Sequence, residues 1–280
     1  MIKYLSLFLL FLVPATTSLC AQEETATTDN QESIPKMSYL SLDAMYSTNS
    51  SAGSIDPTVN ASAYMGDISF YHKSGIWASF MPVLYPFSEE TSFDIDMSIG
   101  YTYYADNGFN IGAYYMNHYY RGDSALRGID YQHMLDFSLG YTVGGLYLYA
   151  DVYPMLGSET FYFSDAGLGY YKYWYWGKTG NWSFSVFPMM SFNAGTDNWL
   201  FQGLTTEERA SLITDIQLAG YAAESFDYQG LDIIIPANIG YGGFSVGFSF
   251  IYSVIANKYK AVGMTNQSGF MFSADFMIPF

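Results

Sequence analysis

The chain has 280 residues, 50% of them hydrophobic and 20% aromatic, but only 13% charged, with 28 Tyr and 26 Gly. Soluble domains carry about 25% charged residues, so this composition argues against a globule surrounded by water. A mean hydropathy of +0.07, with no run of ~18 apolar residues beyond the N-terminus, argues equally against helical membrane spans, and 26 acidic residues against 10 basic ones make nucleic acid a poor partner.

Residues 1–21 read as an export signal: Lys3 supplies the positive start, Leu5 to Val13 the apolar core, and Ala15 to Ala21 a mostly small-residue end. Leu19 is too bulky for the position before a lipidated cysteine, so Cys20, the one cysteine, falls at the edge of the signal. Without the signal the balance is 9 basic minus 26 acidic residues, or −17, and no disulfide can form. Residues 22–36 (QEETATTDNQESIP and Lys36) are polar and acidic and read as a disordered periplasmic leader.

From residue 37 onward the sequence alternates with period two. Phe93, Ile95, Met97, Ile99, Tyr101 and Tyr103 interleave with Asp94, Asp96, Ser98, Gly100 and Thr102; Leu135 to Tyr141, Leu231 to Ile239 and Phe244 to Tyr252 repeat the scheme. Such alternation places one set on each face of a strand. Twelve strands are expected, near 37–47, 64–72, 75–85, 92–104, 109–120, 130–143, 145–156, 160–176, 181–193, 231–241, 243–256 and 268–280. Tight turns join them at HKSG, ADNG, Gly144–Gly145, GKTGN and Gly242–Gly243, as Gly and Asn accept positive φ. The intervening connections are longer, except 157–159. Within 194–230, Thr205 and Glu208 form a capping-box pattern. Leu212, Ile213, Ile216 and Leu218 then make an apolar stripe, which predicts a short helix. That helix would be a lid on the rim or a constriction in the lumen.

Short and long connections alternating over an even strand number are the layout of outer-membrane barrels. The last strand carries a more specific match: Phe280, Ile278, Phe276, Ala274, Phe272 and Phe270 lie on one face. This resembles the C-terminal sorting signal of bacterial outer-membrane β-barrels, and the Tyr-rich composition resembles barrels of Bacteroidota. The resemblance implies an all-β fold over 37–280: a closed antiparallel transmembrane β-barrel of about 12 strands with one short helix in an external loop. It also implies both termini in the periplasm, the lipid bilayer as solvent and the barrel-assembly machinery as partner.

With apolar residues facing lipid, Asp43, Asp67, Asp94, Asp96, Asp136, Asp151, Asp232 and Asp275 face the lumen, joined by Asp165. Charges on a lipid-facing wall are costly, which supports the same placement. Tyr114, Tyr147, Tyr149 and Tyr153 share that interior, either filling it or offering ring faces to a ligand. Trp77, Trp174, Trp176 and Trp182 read as interface girdles, and Lys172 as a snorkelling cation. His72 and Ser74 have the His-x-Ser spacing of outer-membrane lipases but fall in the HKSG turn. Outward-facing Asn117 and His133 lack a nucleophile, Leu135 standing two beyond the histidine, and His118 reads as a lone rim imidazole. No His/Cys cluster, phosphate loop or redox pair is present, so neither metal nor cofactor is expected. The expectation is a narrow porin-like channel for small solutes, biased against anions. The alternatives are a plugged structural or surface-interaction barrel, or a lipid-modifying enzyme.

Overall fold

The computed structural model describes residues 37–49, 61–86, 92–122, 131–177 and 181–280. The expected export signal and leader, most of the GKTGN turn and parts of three longer connections lie outside the described residues. Seven strands open the fold: β1 (Tyr39–Ser47), β2 (Ala63–Tyr71), β3 (Ile76–Tyr85), β4 (Ser92–Tyr104), β5 (Phe109–Arg121), β6 (Tyr131–Val143) and β7 (Leu146–Gly157). They are followed by β8 (Thr160–Tyr170), β9 (Lys172–Trp176), β10 (Trp182–Val186) and β11 (Met189–Thr196). The sheet ends with β12 (Phe226–Tyr241), β13 (Phe244–Ile255) and β14 (Gln267–Pro279).

Fourteen segments make a wall of twelve. β8 and β9 are one run interrupted at Tyr171, and β10 and β11 one run interrupted at Phe187 and Pro188. Proline has no N–H to give the ladder, yet its neighbours keep the wall joined. Tyr170 N donates to Pro188 O at 3.0 Å, Phe187 N to Pro236 O at 3.0 Å, and Tyr171 N to Gly145 O at 2.8 Å. All pairings are antiparallel, and β11 bonds both β8 and β12, which closes the ring. The first and last strands meet in nine consecutive pairs, Tyr39 opposite Pro279 through Ser47 opposite Met271.

Side-chain phase follows the alternation. Ile99 is 57% exposed while Asp94, on the same strand, is 1% exposed. The outer wall is a belt of exposed Ile, Leu, Val, Phe and Tyr. A surface of that kind is stable only against hydrocarbon. At the tight ends, Gly144 and Gly145 both take positive φ, 58° and 85°, the geometry that matches a two-residue hairpin to strand twist.

The predicted helix is present as α1 (Thr206–Leu218), with both halves of the capping box formed between Thr205 and Glu208. Those bonds hold the Glu208 carboxyl below its usual range. The apolar stripe is shorter than expected: Ile216 is buried, but Leu218 is 81% exposed. α1 is tied to its own loop, since Arg209 Nε donates to Glu224 at 3.0 Å and its guanidinium covers the Phe201 ring at 5.3 Å. A 3-10 turn (Asn198–Phe201) precedes it, and a second short helix, α2 (Asn257–Lys260), follows β13.

Candidate functional site

The lumen holds the aspartates in neighbouring groups. Strand register sets Asp275, Asp43 and Asp67 side by side on β14, β1 and β2. Serines supply the hydrogen bonds. Ser41 Oγ donates to Asp43 at 3.1 Å, Ser245 Oγ to Asp275 at 3.0 Å, and the Ser69 and Ser79 hydroxyls both donate to Asp67. A second group lies round the wall. Asp151 faces Asp165 across β7 and β8, and Asp136 stands on β6, where the neighbouring Ser138 pairs with Asp151. Ser191 Oγ donates to Asp165 at 3.1 Å, and Asn193 Nδ2 to Asp232 at 2.6 Å. A third group, Asp94 and Asp96, is buried, with the Tyr85 hydroxyl donating to Asp94.

Basic groups are scarce there. Among the described residues, no Lys or Arg on a strand points inward. The inward base is His118, whose Nδ1 lies 2.7 Å from Asp96 Oδ1 and whose ring stacks on Tyr131 at 4.7 Å. This corrects the rim placement: at 7% exposure His118 is an interior residue. Trp77 needs the same correction, being buried inside against Tyr114 with ring centroids 5.3 Å apart. Trp174, Trp176 and Trp182 do face outward.

Tyr147 and Tyr149 point inward and stack at 5.6 Å. Tyr153 is also inward, but packs on Phe163 at 5.8 Å and is 3% exposed. Apolar side chains share the interior with them. One continuous cluster runs from Met65, Val83 and Tyr85 on β2 and β3 to Ile234, Ile251 and Met271 on β12, β13 and β14. β3, β2, β1, β14, β13 and β12 are consecutive neighbours in the ring, and with Met45 of β1 packed against it this cluster follows the inner wall through half of the barrel. A second cluster joins Met116, Met134, Met155, Phe161 and Phe163 to Ile255, Trp199 and Tyr259 at the long-loop mouth.

An ionic clasp holds that mouth. Lys258 Nζ lies 2.8 Å from Asp197 Oδ2, 2.6 Å from Asp227 Oδ2 and 2.8 Å from Ser225 Oγ. Ser225 N donates to Asp197 Oδ1 at 2.7 Å. Asp197 is 0% and Lys258 4% exposed. A buried pair keeps both charges only when each is compensated, as here. The clasp fixes α2, so that Tyr259 stacks on Trp199 at 5.9 Å. Burial, chiefly, pushes the Tyr259 phenol up, and it stays protonated. Sequence reasoning does not reach this centre, because its residues belong to loops and strand ends without periodicity.

The catalytic candidates gain little. His72 Nδ1 is 2.8 Å from Ser74 Oγ, but Ser74 N also points at the same nitrogen at 3.2 Å, which makes the contact a turn-closing one. Among the described residues, no group of three His, Cys, Asp or Glu is arranged to hold a metal ion.

No protein-family model and no curated protein matches the chain. Solved structures do. An outer membrane channel from Pseudomonas putida F1 is 9% identical, with TM-score 0.48, covering 92% of this chain and 100% of its own. The KdgM porin is 7% identical, with TM-score 0.46, over 84% of this chain and 98% of its own. LpxR from Salmonella typhimurium is 10% identical, with TM-score 0.46, over 84% and 99%. The fold is a closed transmembrane β-barrel. None of these likenesses assigns an activity to this chain.

Proposed function

We propose that the chain is a narrow porin-like channel of the bacterial outer membrane, passing small neutral or cationic solutes and disfavouring anions. The observation that carries this reading is the lumen's charge: nine aspartates face inward, while among the described residues no strand Lys or Arg does. Carboxylates lining a narrow passage lower the energy of a cation and raise that of an anion. Purified protein in planar bilayers should therefore give stepwise conductance, with a reversal potential across a salt gradient of the cation-preferring sign. Anion preference would overturn the reading.

One observation favours a second reading. The buried apolar clusters on the inner wall and at the long-loop mouth fit a plugged barrel with a structural or surface-interaction role. A stable barrel that never conducts would favour it. Hydrophobic constrictions also gate conducting pores by dewetting, so the filling is compatible with a channel that opens intermittently.

In the proposed topology residues 1–21 are a cleaved signal, 22–36 a periplasmic leader, and the short turns and both termini face the periplasm. An epitope tag at Gly203, in the longest connection, should then be labelled on intact cells. A tag at Thr179 should be labelled only after the outer membrane is opened. Surface labelling at Thr179 would invert the orientation.

The terminal strand bears the assembly reading. Phe280 N donates to Ser38 O at 2.9 Å and its ring stacks on Phe70 at 5.8 Å, at the β1–β14 seam. Changing both Phe276 and Phe280 to Ser removes two exposed apolar groups from the face that the assembly machinery and lipid meet. The double variant should accumulate unassembled. Normal heat-modifiable barrel in the membrane fraction would count against a sorting role.

A further inference from the structure

On the outer wall, the β5–β6 pair departs from the apolar rule at one end. Rising from the Gly108 turn, the outward residues of β5 are Phe109, Ile111 and Ala113, and those of β6 from Val143 are Tyr141, Leu139, Phe137 and Leu135. The next outward positions are Tyr115, Asn117, Tyr119 and Arg121 on β5, and His133 on β6 with Gln132 exposed beside it at a register shift. Asn117 and His133 are direct cross-strand partners. Among the described residues, no other amide–imidazole pair faces outward on the wall.

These side chains are ordered by one another. The Tyr115 hydroxyl lies 2.7 Å from His133 Nδ1, and Asn117 Nδ2 lies 3.3 Å from the same nitrogen and 3.3 Å from Gln132 O. An amide nitrogen can only donate, so Nδ1 is the acceptor and the neutral ring carries its proton on Nε2. Tyr115 stacks on the ring at 5.9 Å, which fixes its orientation. The result is an outward N–H donor beside the Asn117 carbonyl, with exposed Gln132, Tyr119 and Arg121 farther toward the rim. Eight residues separate Phe109 from Asn117, roughly 20 Å of height in a tilted strand. The apolar band of such barrels is about 25 Å tall, so the island sits where hydrocarbon gives way to headgroups.

We propose that this island is a docking site for the phosphorylated saccharide headgroup of an outer-leaflet glycolipid. Sugar hydroxyls match the His133 and Asn117 donor and acceptor, and Arg121 offers the positive charge that a phosphate seeks on a chain otherwise dominated by acids. The acyl chains would lie along the apolar face of Ile111, Leu135 and Phe137 below. The site rests on the orientation proposed above, with long connections outside, but not on whether the lumen conducts.

The test is lipid binding to the refolded full barrel in detergent, followed by native mass spectrometry, with purified lipid A and phosphatidylethanolamine as separate probes. Asn117→Leu with His133→Leu removes the hydrogen bonds yet suits a lipid-facing wall, and heat-modifiable migration checks folding. Lipid A should bind the wild type and bind the double variant roughly tenfold more weakly, as expected for losing two hydrogen bonds to sugar hydroxyls while Arg121 is kept. Equal lipid A binding to both proteins, or none to the wild type, overturns the site. A preference for phosphatidylethanolamine overturns the glycolipid assignment and, with surface labelling at Thr179, the orientation as well. Should lipid A bind as expected while bilayers stay silent, the site stands and the channel reading alone fails.

Discussion

Replacing Lys258 by Met should free the long-loop mouth of the barrel. The substitution leaves Asp197, 0% exposed, as a buried carboxylate without its cation, and removing one partner of a buried pair costs about 3–5 kcal/mol. What remains to hold the mouth is the apolar packing of Trp199 and Tyr259 in the second cluster, and against a loss of that size α2 and Trp199 should lift from the lumen far more often. The measurement is thiol accessibility at Met155→Cys, a position 0% exposed inside the second apolar cluster and the one thiol of the chain once residues 1–21 are removed. A membrane-impermeant maleimide should label it at least ~10-fold faster once Lys258 is changed, since ~1.4 kcal/mol already gives a tenfold population shift. Combining Lys258→Met with Asp197→Asn should recover part of the protection, because Asp197 then no longer leaves a charge buried and unpaired. Equal labelling with and without the lysine would show that the clasp does not hold the mouth.

Asp136→Asn with Asp151→Asn should weaken cation preference while leaving the wall intact. Both carboxylates are in the group shared with Asp165, and Asn keeps their shape and much of their hydrogen bonding. A unit charge ~8 Å from a passing cation is worth about 2 kcal/mol at an effective dielectric of 20. Two such charges can therefore dominate selectivity at this height. The reversal potential of the double variant across a salt gradient should move toward zero. Identical, non-selective potentials in both proteins would mean that these aspartates only hydrogen-bond within a filled interior, and the plugged reading would lead.

The wall is legible in the sequence because its physics is periodic. A strand facing lipid on one side and a lumen on the other must alternate, so the odd position of Ile99 and the even position of Asp94 already set them on opposite faces. Gly-rich turns mark the tight ends for an equally local reason. Sequence reading goes astray where residue type outranks phase. Trp77 reads as a girdle residue because it is a tryptophan, although exposed Ile76 and Phe80 on the same strand set the phase that turns it inward. His118 is misplaced for the same reason, since its interior phase puts it opposite Asp96. The clasp is beyond reach: Asp197 and Lys258 are far apart in sequence, in segments with no period to read. Apolar filling is equally hidden, because alternation says which side chains enter the lumen and not whether they meet there.

The manner of that filling has a consequence in time. Much of the apolar lining of the interior is methionine, with Met65, Met116, Met134, Met155 and Met271 all buried. An unbranched thioether changes rotamer without moving the backbone, and such hops take nanoseconds or less where there is room. Lifting a loop takes microseconds to seconds. A passage obstructed by both should show two kinds of noise: flicker too fast to resolve from the methionines, set inside long quiet and active periods governed by the clasp. Lys258→Met should abolish the slow component and leave the fast one, because the clasp sits at the mouth and the methionine rotamers lie within the wall.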